Sequence, residues 1–135
     1  MATSKVLYNG GLRTTATHLQ SSTDIITDAP VDNQGKGEAF SPTDLLATSL
    51  ASCMLTIMGI AARTHGIDID GASAEVTKVM GTEPRRVTEI HVNFSFPKKN
   101  DYSDKQRKIL ENAALTCPVH YSLHPDIKKP ISFGW

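Results

Sequence analysis

The sequence predicts an α+β fold assembled as a homodimer. Three observations point there: short alternating strand signals toward both ends, a long uncharged helix between them, and a second, shorter helix with an ordinary apolar stripe. The chain has 135 residues and reads as a single domain, 1–135. That length supports one hydrophobic core but not two.

Val6 and Tyr8 alternate, and Asn9-Gly10-Gly11 supplies residues that tolerate positive φ. Leu12, Thr14, Ala16 and His18 alternate on the return, so 5–19 is a β-hairpin. After a turn at Gln20-Ser21-Ser22, a third strand at 24–28 stops at Ala29-Pro30. Residues 30–40 read as a flexible connector. Gly35-Lys36-Gly37 lacks the Gly-Lys-Ser/Thr step and the preceding buried strand of a phosphate-binding loop.

Ser41-Pro42-Thr43-Asp44 is a capping box with proline at the first helical position. Its helix should run to His65 and stop at Gly66. From Leu45 through Ala62 there is no charged residue, and apolar side chains fall on all sides. Such a helix is either buried in protein or in a membrane. Thr48, Ser49, Ser52 and Thr56 dilute its hydrophobicity and no basic loop flanks it, which favours enclosure in protein and no membrane.

Strand signals resume with Ile67-Asp68-Ile69-Asp70-Gly71 leading into 74–80, a turn at 81–84, and alternation from Val87 to Phe96. Ile90, Val92, Phe94 and Phe96 share one face of that last strand. A second helix begins at Ser103 with Gln106 completing a capping box, and it ends at Cys117-Pro118. A helical turn through 120–123 and a last strand at 131–133 follow. The central helix, at about 23 residues and roughly 35 Å, rivals the diameter of so small a globule. Few short strands cannot wrap it, so two copies should pack their helices together between two sheets.

Lys plus Arg and Asp plus Glu each number 14, so the formal charge is zero. A neutral chain is poorly suited to holding nucleic acid or anionic lipid by charge. The N-terminus, Met1 to Leu7, lacks the apolar run of a secretion signal, so the expected compartment is the cytoplasm, where thiols are reduced.

Two cysteines are the candidates for chemistry. Cys53, mid-helix, reads either as a small buried hydrophobe or as a nucleophile, and Cys117, beside Pro118, admits the same two readings. Cys117-Pro118-Val119-His120 with His124 nearby admits zinc, although a structural site normally takes four ligands in two paired clusters. A Cys-His hydrolase, with His120 activating a thiol, lacks any visible oxyanion hole.

The stretch from Phe40 to Cys53, FSPTDLLATSLASC, resembles the central-helix motif of the OsmC/Ohr family of osmotically inducible and organic hydroperoxide resistance proteins. Leu110-Glu111-Asn112-Ala113 followed by Cys117-Pro118 is similar to the second landmark of that family. Gly10-Gly11-Leu12-Arg13 fits its opening hairpin, and the element order agrees along essentially the whole chain.

The resemblance implies antiparallel sheets wrapped around two long central helices in an intertwined homodimer. It also implies a thiol-dependent peroxidase acting on organic hydroperoxides. Carried across, Cys53 attacks the peroxide and becomes a sulfenic acid, and Cys117 condenses with it to a disulfide. A dithiol such as dihydrolipoamide resets the pair, and no metal, flavin or haem is required. Arg13 matches the activating arginine, needed because burial opposes thiolate formation. Organic hydroperoxide reductases carry a glutamate where this chain has Thr43; Asp44 follows, as in another branch, and is the candidate to hold the guanidinium. Nine residues of helix put Asp44 about 13 Å from Cys53 along the axis and on roughly the opposite face, so its role would run through Arg13 or across a dimer interface. A non-enzymatic protein binding a small apolar or lipid-like ligand is the alternative.

Overall fold

Threonine and β-branched residues dominate the N-terminal segments, and these fold as strands β1 (Ser4–Gly10), β2 (Arg13–His18) and β3 (Thr23–Asp28). They form an antiparallel sheet in the order β1-β2-β3, as the hairpin and turn signals require. Val6, Ala16 and Ile25 align across the three strands, and Leu7, Thr15 and Ile26 align next to them on the opposite face. Val6, Leu7, Tyr8, Ile25 and Ile26 are all exposed, at 43–61 %.

The computed structural model describes residues 1–135, which divide into a unit at 1–46 and another at 47–135. The first holds the β1-β2-β3 sheet and the loop that follows it. That loop is built rather than a flexible connector. Val31–Asn33 makes a 3-10 turn, and the amides of Gly35 and Gly37 donate to the carbonyls of Pro30 (3.0 Å) and Ala29 (3.2 Å). A Cβ on Gly35 would lie 1.7 Å from the Ala29 carbonyl oxygen, so no larger residue fits this crossing.

Helix α1 (Pro42–His65) starts and stops where its capping signals place it. The Ser41 hydroxyl accepts from the Asp44 amide (3.0 Å), and the Asp44 carboxylate accepts from the Ser41 amide (2.9 Å). Gly66 takes φ +66°, the left-handed conformation that ends a helix. The helix is not covered on every side. Ala47, Leu50, Ala51, Met54, Met58 and Ala62 are buried on one face, at helical spacing, while Ser52, Thr56 and Ile60 are exposed. By length and composition α1 would suffice to cross a membrane, and six of its residues are buried in the chain.

In the second unit, β4 (Ser73–Gly81) and β5 (Arg86–Ser95) pair antiparallel. Ile90, Val92, Phe94 and Phe96 are buried as their alternation predicts. Residues 67–70 are not a strand, contrary to the sequence expectation. The Asp68 carboxylate accepts from the Asp70 amide (2.9 Å), which turns the backbone while Ile67 and Ile69 stay buried. Helix α2 (Asp104–Ala114) carries the expected Ser103/Gln106 capping box, with both reciprocal bonds present. It ends before Cys117, which instead caps the short helix α3 (Pro118–Ser122).

The last strand, β6 (Ile131–Gly134), corrects a second expectation. It pairs parallel to β5, so the second sheet, in the order β4-β5-β6, is mixed and not wholly antiparallel. Parallel entry follows from the connection, since α2 and α3 lie between the two strands and carry the chain back. Trp135 then stacks on Phe96, with centroids 4.0 Å apart, and its indole N–H donates to Glu111 of α2 (2.9 Å).

Candidate active site

Cys53 and Cys117, distant in sequence, meet inside the second unit. Cys53 is half-buried on α1, between the buried row and the exposed row of that helix. Cys117 is fully buried. Pro118 at the first helical position starts α3 and leaves Cys117 as its cap, with the His120 amide donating to Sγ at 3.4 Å. The two thiols lie close enough for Cys53 to act on the titration of Cys117.

Burial pushes the Cys117 thiol up from its ordinary pKa, and the neighbouring Cys53 pushes the same way. The His120 and Val119 amides pull in the opposite direction without reversing the outcome. Cys117 is therefore an S–H donor at neutral pH, and Cys53 is the sulfur it faces. His120 is held neutral by burial and by Lys129, and its Nδ1 is buried without a hydrogen-bond partner. Its ring lies edge-on to Tyr121.

In the first unit, Arg13 and Asp28 face each other across β2 and β3. Nε donates to Oδ1 at 2.7 Å and Nη2 to Oδ2 at 2.8 Å, the parallel fork of a guanidinium on a carboxylate. Asp28 is 1 % exposed and Arg13 30 %. The fork holds Asp28 well below the usual carboxylate range, with help from the Glu38 amide, and raises the guanidinium in turn. The partner anticipated for Arg13 was Asp44. The fork is on Asp28, and the Asp44 carboxylate closes the capping box with Ser41.

Asp28 went unnoticed in the sequence as a functional residue, although the signal was present. A turn centred between Gln20 and Ser21 pairs residue 13 with residue 28, and the observed register is that one. An arginine opposite an aspartate at the end of a predicted strand pair is an ion pair that strand pairing alone predicts.

Taken together, these features define a small α+β protein with a two-cysteine centre in one unit and an arginine–aspartate pair in the other. The chain belongs to the OsmC-like protein family, whose profile matches residues 35–130. It is 65 % identical to a protein from Psychrobacter arcticus 273-4 proposed to act in osmotic stress and detoxification responses, over 98 % of this chain and 96 % of that one, with a TM-score of 0.94. An OsmC-like protein from Mycoplasma pneumoniae shares the fold at 21 % identity (TM-score 0.78; 96 % and 93 % of the two chains). So does an organic hydroperoxide resistance protein from Legionella pneumophila at 17 % identity (TM-score 0.68; 100 % and 98 %). No curated protein sequence matches the chain.

Proposed function

We propose that this protein is a homodimeric thiol peroxidase that reduces organic hydroperoxides to alcohols in the cytoplasm. The observation that carries the reading is the contact between Cys53 and Cys117. A sulfenic acid formed at Cys53 has a thiol beside it, so a disulfide follows with little rearrangement. The same reading is supported by family relatives described as organic hydroperoxide resistance proteins.

In the first step the Cys53 thiolate attacks the terminal oxygen of R–O–O–H and the O–O bond breaks. Cys53 becomes the sulfenic acid, and the alkoxide leaves and takes up a proton as the alcohol. In the second step Cys117 attacks that sulfur, the S–O bond breaks, and its thiol proton leaves with the hydroxide as water. A dithiol reductant such as dihydrolipoamide then exchanges with the disulfide and returns both thiols. Arg13 supplies the cation that favours thiolate over thiol at Cys53.

The dimer reading rests on apolar surface. Val6, Leu7, Tyr8, Ile25 and Ile26 leave a three-stranded sheet exposed on both faces, which is costly for an isolated chain. Ile60 on the open face of α1 adds to it. A second copy covering these residues resolves the cost.

The test is a peroxidase assay with cumene hydroperoxide and dihydrolipoamide. Equimolar peroxide consumption with a Cys53–Cys117 disulfide supports the proposal. Ligand retention without peroxide consumption would support a binding protein instead, and ester turnover without a disulfide would support a hydrolase.

A further inference from the structure

The Asp28 carboxylate does more than neutralise Arg13. Besides the fork, Oδ2 accepts from the Glu38 amide at 3.1 Å, and the Asp28 amide donates to the Phe40 carbonyl at 3.1 Å. The next residue, Ala29, donates to the Leu12 carbonyl at 3.1 Å. Asp28 thus fastens the Arg13 side chain and the far end of the 29–40 loop, while Ala29 ties the start of the loop to the residue before β2. The loop in turn packs on itself through Gly35 and Gly37. The fork engages the Nε/Nη2 edge of Arg13.

We infer that Asp28 is the positioning residue for Arg13, and that the 29–40 loop holds the carboxylate in place for that task. The inference rests on the reading of Arg13 as the cation that serves Cys53. An arginine side chain has many rotamers, and a guanidinium that must meet a thiolate gains little if it samples them all. A buried carboxylate with both oxygens engaged fixes the plane of the guanidinium before any substrate arrives.

The experiment reads the Cys53 alkylation rate against pH by mass spectrometry in wild type, Asp28→Asn, Arg13→Lys, Arg13→Ala and the double variant Arg13→Ala/Asp28→Asn. Asp28→Asn should raise the midpoint by about one pH unit and slow alkyl hydroperoxide reduction by about tenfold. Arg13→Lys, which keeps the charge and loses the fork, should move the midpoint the same way and serves where Asp28→Asn does not fold. In the Arg13→Ala background, Asp28→Asn should move the midpoint no further. A purely structural carboxylate would lower thermal stability and leave the midpoint where it was.

A shifted midpoint in Arg13→Ala with a wild-type midpoint in folded Asp28→Asn or in Arg13→Lys would overturn the inference. So would additive shifts in the double variant. An unchanged midpoint in Arg13→Ala would reject the arginine and this role of Asp28 together. Wild-type protein that shows the shifts yet consumes no peroxide would retain Asp28 as the positioning residue and reject the peroxidase reading.

Discussion

The buried thiol of Cys117, at the cap of a five-residue helix, lies beside Cys53 in the middle of a 24-residue one. The two thiols, proposed as nucleophile and resolving group, have different environments. One is half-buried on a helix face, while the other is fully enclosed with its pKa raised, chiefly by burial. The half-buried sulfur is the one a peroxide can reach.

Cys117→Ser should therefore leave the first attack largely intact and block the second step. A dimedone adduct at Cys53 should accumulate after one equivalent of peroxide, while steady-state turnover with dihydrolipoamide falls by at least a hundredfold. Labelling that is equally strong in wild type and variant would show that the disulfide does not form in turnover.

Arg13→Ala should raise the alkylation midpoint of Cys53 and slow peroxide reduction at least tenfold, equivalent to about 1.4 kcal/mol of transition-state stabilisation. Asp44 should behave differently. Its carboxylate caps α1, so Asp44→Ala should cost about 1 kcal/mol of stability, a few degrees in Tm, and less than tenfold in rate. A larger rate loss in Asp44→Ala than in Arg13→Ala would return the functional role to the helix cap.

Much of this was readable from the chain. Both capping boxes, the stop at Gly66 and the alternation of Ile90, Val92, Phe94 and Phe96 are local signals, and each is met in the fold. What escaped reading is one local turn and two features that depend on partners far away in sequence. The Ile67/Ile69 alternation resembles a strand because it buries two side chains, yet an aspartate side chain bonding its own backbone turns the segment. The direction of β6 is set by where α2 and α3 return the chain, which no local pattern records. At the site, the two cysteines carried a motif each, whereas Asp28 carried none. Its importance lies in strand register, and register appears only when two strands are paired on paper.

His120 gives a pH signature. Burial and Lys129 depress its folded pKa, so the unfolded chain, titrating near 6.5, takes a proton that the folded chain refuses. Stability should then fall as pH drops from about 6.5 toward the folded value. The neighbours that face the ring are Tyr121 and Lys129, with Cys117 bonded to the His120 amide. His120→Gln should flatten Tm against pH below about 6.5. An unchanged slope would mean that another group carries the acid sensitivity.

The exposed sheet predicts association. Light scattering at micromolar concentration should give twice the chain mass of 14.6 kDa. Replacing Val6 and Ile25 together by lysine should lower Tm and split the dimer, since both occupy one face of the sheet. A folded, stable monomer in the wild type would remove the dimer from the account.

The most direct measurement of the central claim is a stoichiometric oxidation. Fully reduced protein is mixed with one equivalent of cumene hydroperoxide without reductant, then examined by intact mass and peptide mapping. The account predicts complete conversion of the peroxide to cumyl alcohol, loss of two hydrogens from the protein mass, and a peptide linking Cys53 to Cys117. Unconsumed peroxide with both thiols still free would contradict it.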